Sequence, residues 1–418
     1  ATAPHVVDDC LGIVQLLSDG TVTRSADYSA LPLQGEVPSN LPVQWKDVVY
    51  DAAHALRLRM YRPTDGDRTT ANNKLPVLVY FHGGGFCLCS FELPHFHAGA
   101  LRLAAELPAL VLSADYRLAP EHRLPAAHRD AEAVLSWLRA QAQADPWLAD
   151  SADLGRVFIC GDSAGGNIAH HVAVRYGSGQ LALDPVVRLA GCVLLWPFFA
   201  AEERTASETA GLVDEHQFMG TALFDQAWRL ALPVGATRDH PAANPFGPDS
   251  VPLDDVAFPP LFVVDPDQDV LHDRIQDYAA RLTAMGKPVE LAVFRGQGHG
   301  FFVFDPCGEA SDQLIHIRAA LWLYSHADGS VNYIFRNPQT CYPSILFFSS
   351  PTDRSFLPQS FRFVSVTSGG LAAAFALRRA RQWVGRSLRR QSAELRRAVA
   401  WVWLSLRALL FPLCPRPA

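Results

Sequence analysis

The chain has 418 residues, of which 49% are hydrophobic and 19% are charged, a composition typical of a globular protein with a large buried core. Residues 331–418 carry 13 Arg, no Lys and 2 acidic residues, so the overall formal charge of −6 leaves −17 on residues 1–330. The strong negative charge of residues 1–330 argues against a nucleic-acid partner, because phosphate contacts need Lys and Arg.

The first 45 residues show few strong periodic signals, although residues 6–17 are compatible with a short amphipathic helix that ends at Gly20. A β-rich stretch begins at Val43, and from residue 77 short apolar runs alternate with helical segments. The predicted strands span residues 77–81, 110–116, 156–160, 189–196, 261–264 and 289–294. The predicted helices span residues 125–143, 165–176, 271–284 and 311–325.

The predicted strands are continuous apolar runs rather than alternating ones. This pattern predicts an α/β fold with a mainly parallel central sheet that is covered by helices on both faces. Residues 200–255 interrupt the alternation, and we interpret them as an insertion that forms a cap together with residues 1–45. We expect this domain to span residues 1–330, with residues 331–418 as a C-terminal extension.

A G-x-S-x-G sequence lies at residues 161–165, directly after an apolar strand and at the start of a predicted helix. That context is what a nucleophile elbow requires. The turn is sharp, so Gly161 and Gly165 avoid steric clashes while the hydroxyl of Ser163 is exposed above the strand ends. The helix N-terminus adds positive potential where negative charge develops. We therefore predict that Ser163 is a catalytic nucleophile.

A second glycine-rich run, HGGGF, ends the strand at residues 77–81. Glycines let backbone N–H groups approach the oxyanion of a tetrahedral intermediate closely. We expect the N–H groups of Gly83 and Gly84 to be donors, with that of Ala164 as a third. A phosphate-binding loop is the alternative, but neither G-x-G-x-x-G nor the Walker pattern with Lys is present.

In enzymes whose serine lies at a nucleophile elbow, the acid follows the serine along the chain and the histidine follows the acid. His299 lies in a glycine-rich loop after the last predicted strand, which makes it the candidate base. His95 and His97 form an H-x-H pair, but no acidic partner pattern accompanies it, so a metal site is disfavoured.

Four aspartates follow the strand at residues 261–264, and the twelve-residue calcium-loop pattern is absent among them. Asp269 precedes a predicted helix, which suits an acid at the carboxyl edge of a sheet. Asp269 is therefore the favoured orienting acid and Asp267 the second choice. We interpret Asp265 and Asp273 as solvated loop residues.

These roles predict an esterase that acts on a small-molecule ester and needs no cofactor or metal. His299 would take the proton of Ser163 as it attacks the ester carbonyl, and water would then release the acyl group. Aromatic residues in and beside residues 200–255 favour a largely apolar acyl or alcohol group.

Several stretches together resemble the plant carboxylesterase family among the hormone-sensitive-lipase-like α/β hydrolases. They are HGGGF (82–86), SADYRLAPEHRLPAA (113–127), CGDSAGGNIAHHVA (160–173), WRLALPVGATRDHPAANPFGP (228–248), DVLHDR (269–274), YAARLTAMGK (278–287) and GHGFF (298–302), within about residues 5–326. The resemblance implies an α/β-hydrolase fold and a triad of Ser163, Asp269 and His299. It also implies an oxyanion loop at His82 to Gly85.

The same family includes proteins that are not esterases. Gibberellin receptors resemble these esterases but have lost the catalytic histidine, which His299 supplies here. Some 2-hydroxyisoflavanone dehydratases carry Thr where this chain has Ser163. The resemblance thus implies an esterase, with a hormone-binding receptor-like protein or a lyase as alternatives. The acid loop departs from the family pattern, because residues 264–269 read VDPDQD where relatives commonly have a glycine.

Residues 371–410 form a helix-compatible stretch rich in Arg, and its apolar part is shorter than the roughly 18–20 residues of a spanning helix. One interpretation is a basic amphipathic segment on an anionic membrane surface. We favour a disordered or loosely helical extension, because the change to Arg without Lys is abrupt.

The eight cysteines include no CxxC pair, and several lie in apolar runs typical of buried free thiols. This usage favours a reduced intracellular protein. Residues 1–17 lack the basic region of a signal peptide. We therefore expect a cytoplasmic or nuclear location, although a chain that starts without Met leaves a removed leader open. The oligomeric state is not predicted.

Overall fold

The computed structural model describes residues 3–31, 38, 40–64, 74–107, 109–211 and 219–315. Its contacts divide the chain into the units Ala1–Tyr333 and Ile334–Ala418, and the described residues all belong to the first. The prediction for residues 331–418 lies outside the described residues and stays a prediction. Across the described ranges, no helix is both long and apolar enough to cross a bilayer.

Two sheets occur in the described residues. The smaller one is antiparallel, in the order β1-β2-β3, and consists of β1 (Val6–Cys10), β2 (Val14–Leu17) and β3 (Val22–Arg24). The larger one consists of β4 (Val43–Asp51), β5 (Leu56–Pro63), β6 (Leu75–Phe81), β7 (Leu110–Ala114), β8 (Ala152–Asp162), β9 (Leu189–Leu195), β10 (Leu261–Pro266) and β11 (Val289–Phe294).

The strand order of the larger sheet is β11-β10-β9-β8-β6-β7-β5-β4. The pairs from β11 to β7 are parallel, whereas β5 pairs antiparallel with both β7 and β4. Every residue of β6, β7, β9 and β10 is buried, which explains why these strands read as continuous apolar runs. The predicted α/β fold with a mainly parallel sheet is confirmed.

In the described residues, helices lie between successive strands from β6 to β11, and two short helices follow β11. They are α1 (Pro94–Glu106), α2 (Ala126–Gln141), α3 (Pro146–Ser151), α4 (Ala164–Gly177), α5 (Ala206–Ala210), α6 (Thr221–Ala231), α7 (His272–Ala284), α8 (Phe301–Phe304) and α9 (Glu309–Gln313). Helices α2, α4 and α7 lie within two residues of their predicted bounds. The predicted helix at 311–325 overlaps α9, and its part from residue 316 lies outside the described residues.

The helix expected over residues 6–17 is wrong, because this segment forms the β1–β2 hairpin. Leu11 and Gly12 have φ values of 59° and 68°, and the N–H of Ile13 donates to the Cys10 carbonyl at 3.0 Å. Two consecutive positive φ values are the geometry of a two-residue hairpin turn that matches the twist of its strands. In so short a segment the spacing of the apolar residues does not distinguish the period of a helix from that of a strand.

The parallel arrangement also positions the site. Strands β6, β8, β10 and β11 point the same way, so the loops after them emerge at one edge of the sheet. These four loops carry the HGGGF run, Ser163, Asp269 and His299, respectively. Segments far apart in sequence therefore converge at the carboxyl edge.

Candidate active site

Ser163 lies at the sharp turn between β8 and α4, with φ 52° and ψ −112°. A positive φ is costly for a residue with a side chain and persists only where the surroundings enforce it. A Cβ on Gly165 would lie 1.9 Å from the carbonyl oxygen of Phe81, and one on Gly161 would lie 2.3 Å from the Gly165 backbone. The turn therefore requires glycine at both positions, as the sequence predicts.

The structure brings Ser163, His299 and Asp269 together in one hydrogen-bonded line. Nε2 of His299 lies 2.9 Å from Oγ of Ser163, and Nδ1 lies 2.7 Å from Oδ2 of Asp269. The other oxygen of Asp269 accepts the N–H of Leu271 at 3.0 Å, which fixes the carboxylate. All three members are buried. This is the spacing that a nucleophile, a base and an orienting acid require.

The other aspartates of the acid loop have different partners. Oδ1 of Asp267 accepts the N–H of Gly296 at 2.7 Å, which ties the acid loop to the loop that carries the base. The fully buried Asp265 lies 2.9 Å from Nδ1 of His272, and burial raises the pKa of Asp265. Asp273 accepts a backbone N–H at 2.8 Å. Among the four candidates, Asp269 is the one that is hydrogen-bonded to His299.

The loop after β6 differs from the expectation at Gly83. The N–H of Gly83 donates to Oδ1 of Asp162 at 3.0 Å, so it is engaged and does not fit the expected role of oxyanion donor. Gly84 and Gly85 line the pocket around Ser163 instead. Within the described residues, no acceptor takes the N–H of Gly84, Gly85 or Ala164. The physical reason for the difference is the Asp162 carboxylate, which accepts the N–H of Gly83, the first glycine of the run.

Side chains at the start of the same loop hold it in place. The imidazole of His82 stacks on the ring of Tyr116 at 4.4 Å between centroids, and its Nδ1 lies 2.7 Å from the Gly83 carbonyl. The Tyr116 hydroxyl donates to the His82 carbonyl at 2.8 Å. Gly84 has a φ of 107°, and a Cβ there would lie 2.3 Å from the Leu88 carbonyl oxygen. The backbone path therefore requires this glycine.

Asp162 and Tyr80 hold the loop after β6 in place, and neither residue was predicted from the sequence. The Tyr80 hydroxyl donates to the same Asp162 oxygen at 2.5 Å, beneath the loop. Burial raises the pKa of Asp162, although the Tyr80 hydrogen bond and the nearby His82 and His299 lower it. A signal for Asp162 was present, since it precedes Ser163 in the G-x-S-x-G sequence. Tyr80 lies in an apolar strand and carried no signal.

Comparisons with known proteins agree with this geometry. The family model for the alpha/beta hydrolase fold matches residues 78–303. Probable carboxylesterase 6 of Arabidopsis thaliana is 41% identical over 241 residues, which are 57% of this chain and 69% of the relative. Carboxylesterase 20 of the same plant is 36% identical over 69% of this chain and 88% of its own length. The chain belongs to the plant carboxylesterase family of α/β hydrolases.

Two further similarities are to a relative that is a receptor and to a solved esterase structure. A gibberellin receptor of Arabidopsis thaliana is 36% identical over 68% of this chain and 83% of the receptor. An esterase of Pyrobaculum calidifontis superposes with a TM-score of 0.58 at 30% identity, over 69% of this chain and 87% of the esterase. The sequence-based recognition of the family is thereby confirmed.

The pocket of this α/β hydrolase opens onto Ser163 and has a cavity volume of about 70 Å³, against roughly 10–15 Å³ for a single water. The N-terminal hairpin contributes Leu11, and α6 contributes Phe224, whose ring centroid lies 4.8 Å from that of His299. The further apolar lining residues are Leu31, Leu88, Phe96, Phe198, Met219, Leu223, Ala227, Val303 and Phe304. The walls therefore favour an apolar ligand.

In the part of the chain that the structure describes, no group of three or more His, Cys, Asp or Glu side chains has an arrangement that could hold a metal ion. His97 of the H-x-H pair lies with Nδ1 2.8 Å from the Tyr61 hydroxyl oxygen. His95 lines the pocket instead. The two imidazoles thus have different surroundings.

Proposed function

We propose that this carboxylesterase hydrolyses small acyl esters through a Ser163–His299–Asp269 triad and an acyl-enzyme intermediate. The observation that carries the proposal is the line of two hydrogen bonds, at 2.9 Å and 2.7 Å, that joins the three side chains. His299 accepts the Ser163 proton through Nε2 as Oγ attacks the ester carbonyl. Asp269 holds the imidazole in the required orientation and stabilises the imidazolium that forms.

The oxyanion of the tetrahedral intermediate is stabilised by backbone N–H groups. We assign this role to Gly84, Gly85 and Ala164, whose N–H groups have no acceptor among the described residues. Gly83 acts indirectly, because its bond to Asp162 fixes the start of the loop. Ala164 is the first residue of α4, so the positive end of the helix adds to the stabilisation.

Collapse of the intermediate releases the alcohol, which His299 protonates. A water molecule then gives its proton to His299 and attacks the acyl group on Ser163, which frees the acid and restores the enzyme. Each step uses groups of this chain and water, so the mechanism requires no cofactor.

We also propose that residues 1–45 and 200–255 cap the pocket. Leu11 and Phe224 support this, since they reach the lining from these two segments. A cytoplasmic location is a further part of the proposal. It is supported by the cysteines of the described residues, which are all free thiols.

A hormone-binding receptor is the second candidate, because a gibberellin receptor is among the relatives. A receptor would bind its ligand in this pocket without turnover. The hydrogen bonds of His299 favour the esterase, because a binding protein has no need for an imidazole that links a serine hydroxyl to a buried carboxylate.

The test is the hydrolysis of p-nitrophenyl butyrate by the full chain, together with fluorophosphonate labelling. We expect turnover and labelling of the wild type, and a loss of at least about 10⁴-fold in kcat for Ser163→Ala and for His299→Ala. Ser178→Ala, at the opposite end of α4, and His122→Ala are matched controls that should keep activity. A wild type that is inert to several esters and to the label would favour the receptor.

A further inference from the structure

One imidazole in the pocket has no role in the proposed reaction. His95 is the second residue of α1 and is 6% exposed. Among the described residues, neither its Nδ1 nor its Nε2 has a hydrogen-bond partner. The side chain lines the same pocket as Ser163 and His299. A buried polar group without a protein partner costs free energy, and a ligand group in the pocket that pairs with the imidazole would recover that cost.

The other polar side chains of the pocket are already occupied. Ser163 and His299 bond to each other, and Asp162 accepts hydrogen bonds from Tyr80 and Gly83. The two lining thiols, Cys10 and Cys89, are weak hydrogen-bonding groups. The imidazole of His95 is therefore the strong polar group of the described lining that is free to bond a ligand.

The charge state of His95 limits what that ligand group can be. Burial lowers the pKa of His95 to about 4, with His82 as a further contributor, so the ring is neutral near pH 7. A neutral imidazole presents one donor and one acceptor. A hydroxyl can pair with either ring nitrogen, because it both donates and accepts a hydrogen bond, whereas a carboxylate would enter an apolar pocket beside Asp162. The described lining contains no Lys or Arg to balance such a charge.

We propose that His95 is a specificity-determining residue that binds an uncharged hydroxyl on the substrate, so that the enzyme prefers hydroxyl-bearing esters. This rests on the proposed esterase function. A substrate that replaces the hydroxyl with a methyl group would bury the imidazole without a partner. One such neutral hydrogen bond corresponds to about a tenfold preference in kcat/KM.

The test compares two pairs of esters that differ by hydroxyl against methyl. In p-nitrophenyl 3-hydroxybutyrate and p-nitrophenyl 3-methylbutyrate the difference is in the acyl group. In 2-hydroxyethyl butyrate and propyl butyrate it is in the alcohol, with release of acid as the readout. We expect the wild type to prefer the hydroxyl ester about tenfold in one of the pairs, mainly through KM.

Three variants assign that preference. His95→Leu should bring the hydroxyl-to-methyl ratio close to one while the methyl ester is still hydrolysed. His95→Gln, which keeps a donor and an acceptor, should retain part of the ratio. Val303→Ala is the control for pocket shape, and it should change both members of a pair alike. If His95→Leu does not fold, His95→Asn is added as a fourth variant, and a hydroxyl-to-methyl ratio as high as that of the wild type in both His95→Gln and His95→Asn would overturn the inference.

Two results would overturn the inference without affecting the esterase assignment. One is a wild type that hydrolyses both members of each pair with equal kcat/KM. The other is a preference that His95→Leu leaves unchanged. A wild type that hydrolyses none of the four esters would contradict the esterase itself, and the role of His95 would fall with it.

Discussion

Two glycine-rich turns meet at the site, and they depend on their surroundings to different degrees. The turn around Ser163 is dictated by backbone contacts, since a Cβ at Gly161 or Gly165 would collide with neighbouring main chain. The loop after β6 depends also on a side chain, because Asp162 holds Gly83 and is itself held by Tyr80. Steric exclusion can be predicted from a short motif, whereas a hydrogen bond between distant segments requires the tertiary structure.

For the comparison of these two turns, the largest effect is expected from a substitution in the turn around Ser163, whose shape is determined by steric contacts. Gly165→Ala places a methyl group where 1.9 Å separates it from the Phe81 carbonyl oxygen, so the helix start must move. We expect a loss of about 10³-fold or more in kcat/KM and about 2–3 kcal/mol of stability. Ester hydrolysis and urea unfolding measure the two.

Gly155→Ala, in the strand β8 that leads into the turn, is the matched control, because the nearest atom there belongs to the side chain of Asp153. It should keep most of the activity. Equal losses of activity and stability in the two variants would mean that the backbone clash at Gly165 is not what makes glycine necessary in the turn.

An intermediate effect is expected in the loop that depends on a side chain. Asp162→Ala removes the acceptor of both Gly83 and Tyr80, so the proposed oxyanion donors should lose their fixed position. We expect kcat to fall about 10–100-fold with little change in KM, because the loss is felt mainly in the transition state. Steady-state kinetics with p-nitrophenyl butyrate measure it.

Asp162→Asn should recover part of kcat, since it retains an acceptor oxygen. In Asp162→Ala, fluorophosphonate should still label Ser163, because the three residues of the proposed triad are unchanged. An unchanged kcat in Asp162→Ala would show that the loop holds its shape without the carboxylate, and the contrast between the two turns would then disappear.

The smallest expected effect concerns stability and the middle of α4, the helix that begins after Ser163. His170 is buried there and His171 is half-buried, and the centroid of the His171 ring lies 3.7 Å from that of His128. Burial lowers the pKa of all three, that of His171 to about 4. Between about pH 4 and 6.5 these imidazoles therefore bind more protons in the unfolded chain than in the folded one.

The free energy of unfolding should accordingly fall as the pH drops below about 6.5, by about 1.4 kcal/mol per pH unit for each such imidazole. Urea unfolding at pH 7.5 and pH 5.5 measures the loss. His171→Gln should reduce it, whereas His122→Gln, at an exposed residue, should not. A pH dependence that His171→Gln leaves intact would assign the acid sensitivity to other groups.

Errors and open choices in the sequence analysis had identifiable causes. At residues 6–17 the apolar spacing fits a helix, but a turn with positive φ at Leu11 and Gly12 decides for a hairpin. At the acid loop the sequence left Asp267 as a second choice, since both aspartates follow the same strand. The fold separates them, because Asp267 turns to the backbone of Gly296 and Asp269 to the imidazole.

The sequence alone determined the layers of the fold and the place of Ser163. Burial on both faces makes parallel strands uniformly apolar, and a sharp turn tolerates only glycine at Gly161 and Gly165. The tertiary structure decided which carboxylate reaches His299, which glycine N–H groups stay free, and that His95 faces the pocket. Those outcomes depend on distances between segments remote in sequence, which the packing of the sheet edge determines and no local pattern encodes.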